Sequence, residues 1–408
     1  MSLQTPDSVR RLQRALYVKA KKEPAYRFYL LYDKVVRDDI LAHAYRVSRA
    51  AKGARTPGVD GVTFEAIEAT GQAEWLAGLK GALQDETYRP DAVRRVLIPK
   101  PGGGERPLGI PTIRDRVVQT AVKLVVEPIF EADFEDGAYG YRPKRSAQDA
   151  VQAVHEALCD GCTDVVDADL SKYFDTIPHR ELLQSVARRV VDRHVLHLLK
   201  MWLKTPIEER DERGGRRMTG GKRSTRGTPQ GGVISPLLAN IYMHRFLRAW
   251  RDRGKGQQYQ ARVINYADDF VILSRGHAES FDFLGYTFGP HRYRKDGHWY
   301  LGASPSKKSV QQVKTKVGEL LVPGNQGTWP TVRDQLNRLL HGWSAYFSYG
   351  TRLSAYRAID NHVYDHVRHF LVRRHKVQGR GTRCFSREHV FGELGVLHLR
   401  RVHIGPPP

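Results

Sequence analysis

The run Arg262-Val263-Ile264-Asn265-Tyr266-Ala267-Asp268-Asp269-Phe270-Val271-Ile272-Leu273 sets two adjacent carboxylates between two short stretches rich in Val and Ile. Such stretches read as strands. Neighbouring side chains on one straight strand point to opposite faces. Asp268 and Asp269 can therefore serve one site only where the chain turns, and the expectation is a β-hairpin with both at its tip. Two carboxylates held close repel each other, and a hard divalent cation relieves the repulsion. Mg²⁺ takes a few carboxylate oxygens together with phosphates and water. Asp is also a common turn residue, so the pair needs partners elsewhere in the chain.

A third carboxylate is available. Asp164-Val165-Val166-Asp167-Ala168-Asp169 reads as a strand ending in acid, followed by a helix that opens near Pro178. Asp169 is the candidate, although Asp at such a junction also caps helices. Asp167 shares strand parity with Asp169 but lies further back, and Asp175 lies where the chain turns away. Three carboxylates can hold two metal ions about 3.5–4 Å apart. One ion would lower the pKa of a primer 3′-hydroxyl and the other would steady a leaving pyrophosphate. In-line nucleotidyl transfer needs little more from a protein than positioning and charge.

Other segments suit phosphates and bases. Two strands around Pro101-Gly102-Gly103-Gly104 form a flexible-tipped hairpin whose Arg94, Lys100 and Arg106 can converge on a triphosphate; a solvated basic edge is the alternative. The stretch Arg213 to Arg226 holds five arginines and one lysine, Arg223 and Arg226 among them, and reads as a basic hairpin tracking a phosphate backbone or as a solvated loop. Thr228-Pro229-Gln230-Gly231-Gly232 follows. Its glycines allow close approach to a base pair or sugar, and Gln230 could contact an incoming nucleotide. Residues 289–302 alternate aromatic and basic side chains, including Arg292 and Arg294, which suits base stacking with phosphate contacts or a plain hairpin with an aromatic face.

The elements that must position these residues are mixed. Residues 1 to about 50 are helical and basic, a turn follows at 56–63, and a helix runs through Trp75 to Leu83. Helical spacing continues from Asp115 to Phe134, and Ser146 is placed to cap a helix to Leu158. Another helix covers Val233 to Trp250, and Phe281 to Phe288 reads as one more strand. The last third is a small helical bundle with basic outer faces that carry Arg338, Arg373 and Arg374.

The 408 residues suffice for roughly two to three domains, and 40% hydrophobic content indicates a globular chain. A net charge of +22, 66 basic against 44 acidic residues, predicts a polyanionic partner, nucleic acid first. No apolar run reaches transmembrane length, and the first residues lack the apolar core of a secretory signal. Cys159, Cys162 and Cys384 are too few for a disulfide framework and indicate a reducing compartment. Cys159-Asp-Gly-Cys162 has the spacing of half a zinc site with no second half.

Taken in order, the motifs resemble those of the reverse transcriptases encoded by bacterial group II introns. They are Pro57-Gly58-Val59-Asp60-Gly61, Ile98-Pro99-Lys100 with Arg106-Pro107-Leu108-Gly109-Ile110-Pro111, Tyr139-Gly140-Tyr141-Arg142-Pro143, Asp169 to Asp175, Thr228 to Gly232, Tyr266-Ala267-Asp268-Asp269 and Phe283-Leu284-Gly285. Leu339-Leu340-His341-Gly342-Trp343-Ser344-Ala345-Tyr346-Phe347 is similar to the maturase, or X, region. Each motif is weak alone; their order and number carry the resemblance over nearly the whole chain.

The resemblance implies an α+β right-hand polymerase fold: fingers, a palm with an antiparallel sheet, and a helical thumb/maturase domain. The boundaries would be residues 1–90 for an N-terminal extension and the start of the fingers, 91–288 for fingers and palm, 289–378 for the thumb/maturase domain and 379–408 for a basic tail. The implied activity is RNA-directed DNA polymerase and maturase, with two Mg²⁺ ions on Asp169, Asp268 and Asp269. The implied partners are group II intron RNA, an RNA template with a DNA primer, dNTPs and target DNA, in the bacterial cytoplasm and away from membranes. Arg142, Arg223, Arg226, Arg292, Arg294, Arg338, Arg373 and Arg374 would hold nucleic acid. Phe174, five residues after the first metal Asp, would exclude a 2′-hydroxyl; an ordinary core aromatic is the alternative.

Two departures stand out. No His-rich or Cys-rich endonuclease module follows the maturase region, so autonomous second-strand cleavage is not expected. Only eleven residues separate Asp269 from Phe281, where relatives place several tens, including a palm helix and a lysine near the nucleotide. A lost helix would uncover apolar sheet surface, at roughly 25 cal/mol per Å². A splicing maturase without polymerase activity is therefore the alternative function.

Overall fold

The computed structural model describes residues 4–99, 105–210, 215–228, 231–275, 280–292 and 298–402, with the Arg106 side chain also outside this set. In chain order the elements begin with helices α1 (Asp7–Lys22), α2 (Tyr32–Val35), α3 (Asp38–Ala50), α4 (Phe64–Thr70) and α5 (Gln72–Gln84). Strands β1 (Val93–Pro99) and β2 (Glu105–Ile110) come next, then α6 (Ile113–Glu131), α7 (Ala147–Cys159), β3 (Asp164–Asp169), α8 (Tyr173–Thr176), α9 (His179–Ala187) and α10 (Arg193–Leu203). Strands β4 (Pro206–Arg210) and β5 (Arg216–Gly220) precede α11 (Ser235–Asp252), α12 (Lys255–Gln258), β6 (Arg262–Tyr266) and β7 (Asp269–Ser274). The chain ends with β8 (Phe281–Phe283), β9 (Tyr286–Arg292), β10 (Trp299–Pro305), α13 (Lys307–Leu320), α14 (Trp329–Tyr346) and α15 (Leu353–Arg374).

Two compact units emerge. The first comprises residues 1–145, 169–255 and 265–269, and the second 146–168, 256–264 and 270–408. The first unit is built around α6. Its Val117, Val118, Ala121, Val122 and Val125 are wholly buried, with α1 and α3 packed against it. Thr112 caps α6 by accepting from the Asp115 backbone N–H at 3.3 Å. Arg116, buried in its first turns, donates to the carbonyls of Pro111, Gly53 and Thr56 at 2.9, 3.1 and 2.5 Å, and so staples the turn region before Pro57 to the helix. The same unit holds a four-stranded sheet in the order β2-β1-β4-β5. β1 and β2 are antiparallel with Arg94 opposite Ile110 and Pro99 opposite Glu105, and β4 joins β1 in parallel.

The basic hairpin is longer and starts earlier than its charges suggest. Its paired strands are β4 and β5, with Pro206 opposite Gly220, so Arg216 and Arg217 lie on β5 while Lys222 and Arg223 follow in the turn beyond it and Arg226 bridges to Pro178.

In the second unit α13, α14 and α15 enclose an apolar core that includes Val317, Leu336, Leu340, Ile359 and Val367. Asp360, 1% exposed on α15, fixes the C-terminal turn by accepting from the backbone N–H groups of Leu399 and Arg400 at 2.9 and 3.3 Å. The run Phe281 to Phe288 is not one strand. Leu284 (φ +50°) and Gly285 (φ +79°) break it into a hairpin in a sheet of order β10-β9-β8. Two consecutive left-handed residues make the tight turn whose twist matches paired strands, and the apolar pattern on both sides concealed it. Cys159, Cys162 and Cys384 are free thiols.

β3, β6 and β7 form a sheet in the order β3-β7-β6. Ala267 and Asp268 alone join β6 to β7, a connection that serves only antiparallel neighbours. On β7, Val271 and Leu273 are wholly buried, whereas on β3 Val166 is 61% exposed. Residues 276–279, in the shortened junction itself, lie outside the described set.

Candidate active site

β3 ends at Asp169, and the next backbone N–H, that of Leu170, donates to the carbonyl oxygen of Asp268 at 3.2 Å. Residues 99 positions apart in the chain are thus laid side by side. Ala267 supplies the turn with φ +62°, and Asn265 holds it from within. The buried Asn265 Nδ2 donates to the carbonyls of Ala267 and Asp269 at 2.9 and 3.2 Å. The segment before Tyr141 runs beside this tip: Tyr139 N–H donates to Asn265 O at 2.8 Å, and Asn265 N–H to Gly137 O at 2.7 Å. Gly140 lies so close that a Cβ there would collide with the backbone nitrogen of Ala267. Asn240 on α11 fixes that glycine by donating from Nδ2 to Gly140 O at 2.7 Å.

Asp169 and Asp268 line one cleft of about 910 Å³, together with Arg95, Tyr141, Phe174 and Asp175. Asp269 is not among its lining residues. Asp268 occupies the turn and Asp269 opens β7, where the alternation of a strand takes over. Among the described residues no three His, Cys, Asp or Glu side chains group as a metal cage. The donor set does fit an ion that takes one or two carboxylates and fills its remaining positions with substrate phosphate and water, which is how Mg²⁺ is usually held.

Around the carboxylates the chain is closely braced. Tyr173 is buried and donates its hydroxyl to Ala239 O at 2.8 Å. Burial, then the nearby Tyr242 and the Asp268 carboxylate, pushes its phenol up, so it stays protonated. Phe174 is half-buried in the cleft, edge-on to Tyr141 with ring centroids 6.1 Å apart. The loop after the basic hairpin closes on it, with Thr228 N–H donating to Phe174 O at 2.7 Å. Gly231 (φ +104°) passes so close to the Gly109 carbonyl that no Cβ fits.

The structure redistributes the remaining sequence candidates. Arg95, not Arg94, faces the cleft, where it is ion-paired with Glu209. Arg94 alternates away, and its buried Nε meets no described hydrogen-bond partner. Lys100, Gln230 and Arg294 lie outside the described residues, as does the Arg106 side chain.

Arg142 is corrected as a nucleic-acid contact. It is 7% exposed, clasps Glu131 at 2.7 Å, and donates to the carbonyls of Glu135 and Ala138 at 2.7 Å each. All three of its guanidinium nitrogens are engaged in holding the turn before Pro143. Arg223, Arg226, Arg292, Arg338 and Arg373 are exposed, and Arg374, also exposed, donates to Gly327 O at 2.7 Å. The sequence reading missed Asn265, Asn240 and Gly140 as positioning residues. The available signal was a polar side chain at a core position of a strand or helix.

Comparison with known proteins agrees with this geometry. Residues 98–288 match the family described as reverse transcriptase (RNA-dependent DNA polymerase), and residues 310–387 match the group II intron, maturase-specific domain. Protein YkfC of Escherichia coli (strain K12) is 38% identical over 297 residues, covering 65% of this chain and 75% of that protein. The chain belongs to the group II intron-encoded reverse transcriptase and maturase family. The domain matched at residues 98–288 is of the RNA-dependent DNA polymerase class. The group II intron-encoded protein LtrA of Lactococcus lactis subsp. cremoris is 35% identical over 218 residues, which cover 53% of this chain and 34% of LtrA. The matched part thus spans about a third of that relative's length. Among solved structures, a partial Cas6-RT-Cas1–Cas2 complex overlays with a TM-score of 0.37 at 19% identity, over 71% of this chain and 41% of that one, too low to bear on function.

Proposed function

We propose that this chain copies RNA into DNA at the cleft bearing Asp169 and Asp268, and that its helical C-terminal region binds a group II intron RNA and assists its splicing. The observation that carries the reading is the pairing of Leu170 N–H with Asp268 O, which brings two distant carboxylates to one cleft wall. Asp169 and Asp268 would hold a divalent ion, with Asp269 as an outer member of the set, and the count of two Mg²⁺ belongs to this proposal. The ion, when bound, would lower the pKa of the primer hydroxyl and offset charge on the phosphates. The chain's own residues position the reactants. Arg95 takes an incoming triphosphate, joined by Lys100 and Arg106, while Gln230 contacts the nucleotide and Phe174 closes the space beside its 2′-carbon. An RNA template with a DNA primer, dNTPs and a DNA target are the other partners, in a nucleoprotein complex of the bacterial cytoplasm. No described helix is long and apolar enough to cross a membrane.

Primer extension on an RNA template with dNTPs and Mg²⁺ tests the reading. Extension that vanishes in Asp268→Ala, with RNA binding kept, supports it. A folded protein that binds RNA and never extends would overturn the polymerase part. One observation favours a second reading, a splicing maturase without polymerase activity: the exposure of Val166 beside a palm shortened after Asp269. That reading expects splicing assistance indifferent to Asp268→Ala.

A further inference from the structure

A second cavity, of about 590 Å³, shares no lining residue with the Asp169–Asp268 cleft. Its cations are Arg188, Arg189, Arg245, Arg248, Arg251 and Lys21. Four of the lining positions fall on one face of α11: Ile241, His244, Arg248 and Arg251 recur at the spacing that normally buries an apolar stripe. Leu238 and Leu247, which flank this face on either side, are buried, as is Ile241 at its start. The arginines along this face, and Arg188, are exposed or half-exposed around a concave surface, so they are available to an anionic partner.

The acidic residues of the cavity do not supply it. Asp133 is paired with Arg189 at 3.1 Å, Glu135 with Arg251 at 2.5 Å, and Asp136 with Arg145 at 3.4 Å. Arg248 is paired with Asp252 at 3.1 Å. Arg188 and Arg245 are left over. Neither forms an ion pair with a described carboxylate; Arg245 donates only to the Glu181 carbonyl, at 3.1 Å, and stacks over Tyr242. His244 also lines the cavity, edge-on to Phe134, with a buried Nδ1 that has no described partner. Burial, followed by the surrounding Arg248, Arg251 and Arg188, pushes it down to about 4, so the ring is neutral and adds no charge of its own.

We propose that this cavity is a second nucleic-acid site, one that receives consecutive phosphates of a folded RNA's backbone on Arg188 and Arg245. Guanidinium groups take phosphate oxygens in pairs, and the concave wall selects a bent backbone over free counterions. α11 links the two sites. Pro236 lines the catalytic cleft, and His244 to Arg251 line this one, about 12–22 Å further along the helix axis. The site rests on the chain being an RNA-binding enzyme but requires no catalysis.

The test uses the full chain and a fluorescein-labelled stem-loop RNA, titrated without dNTPs across a range of KCl concentrations. The double variant Arg188→Glu, Arg245→Glu is expected to lose roughly tenfold or more in affinity at moderate salt, with the slope of log K against log[salt] reduced by roughly 1–2. Arg188→Lys, Arg245→Lys is expected to keep most of the slope. Should the reversal unfold the chain, as a thermal melt would reveal, Arg188→Ala, Arg245→Ala replaces it. Wild-type affinity and slope in the folded variant would overturn the proposal. So would calorimetry showing that inorganic phosphate binds the wild type and not the variant while RNA binding is unchanged, since the site would then serve a small anion. Because the readout is binding, failure of polymerase activity in the Asp268→Ala comparison is recorded separately.

Discussion

Leu170 N–H reaches the carbonyl oxygen of Asp268 at 3.2 Å, and this backbone bond ties the end of β3 to the turn, where Asp169 and Asp268 line one cleft. Asp269, one residue further on, does not line the cleft they share. The hairpin's two acids are therefore expected to differ in weight. Asp169→Asn and Asp268→Asn should each lower primer extension on the order of 10²–10³-fold, the scale for removing a group that acts on developing charge. Asp269→Asn should cost less. Single-turnover extension rates at saturating dNTP measure this, and a ranking with Asp269 the most damaging would refute the assignment.

Gly140 has a different importance, because it contributes no chemistry. A Cβ at that position collides with the Ala267 backbone nitrogen, and the glycine is fixed from behind by Asn240. Gly140→Ala should displace the tip that carries Asp268 while leaving the outer basic surface alone. The expected outcome is at least a tenfold fall in extension rate with RNA affinity within about twofold of wild type. Such rate penalties are the scale associated with misplacement of about 1 Å. Equal losses in both measurements would mean a folding defect instead.

Phe174 sits in the cleft with its edge to Tyr141, and its carbonyl is held by Thr228. If its ring closes the space beside the sugar, Phe174→Val should admit ribonucleotides. Discrimination between dNTP and rNTP, measured as the ratio of kcat/KM values, should fall roughly 10–100-fold, the range available to a steric pocket. Unchanged discrimination, with extension intact, would reduce Phe174 to a packing residue.

The sequence carried the ends of this site better than its interior. Asp169 and Asp268 were legible because each stands at a strand-to-turn boundary, where apolar periodicity stops and a polar residue is conspicuous, whereas Phe174 was reached only through the family resemblance. The helices α6, α7 and α11 were legible from their apolar periodicity, and Ser146, read as a cap, does cap α7, in a capping box with Asp149. Arg142 misled because charge in a turn looks solvated; only the fold shows Glu131 and two carbonyls enclosing it. Arg94 and Arg95 could not be told apart without knowing which face of β1 meets the cleft. The hairpin within 281–288 was hidden because apolar residues on both sides of Leu284 and Gly285 made one continuous pattern. The braces at Asn265 and Asn240 depend on contacts across 128 and 100 positions, Gly137 with Asn265 and Gly140 with Asn240, which no local pattern encodes.

Asp115 offers a test of the scaffold beneath the cleft. Its carboxylate accepts from the Tyr88 hydroxyl at 2.5 Å, the Thr112 hydroxyl at 2.9 Å and the Asp91 backbone N–H at 3.1 Å, and Trp202 Nε1 donates to Tyr88 Oη at 3.1 Å. Burial, with Asp91 adding to it, outweighs these hydrogen bonds and pushes the carboxyl up from 3.8 to about 6. The folded state therefore binds this proton more tightly than the unfolded state. Its contribution to stability is fully present below pH 3.8 and is lost as pH rises through about 6. The size is on the order of 3 kcal/mol, from a shift of about two units on a group buried for the most part. Asp115→Asn cannot titrate. Urea unfolding of both proteins at intervals between pH 4 and 7 should show the wild type losing stability relative to the variant as pH rises. Parallel curves would mean that the carboxyl is ionised in the fold across the whole range, and that the Tyr88–Trp202 network holds a charge and not a proton.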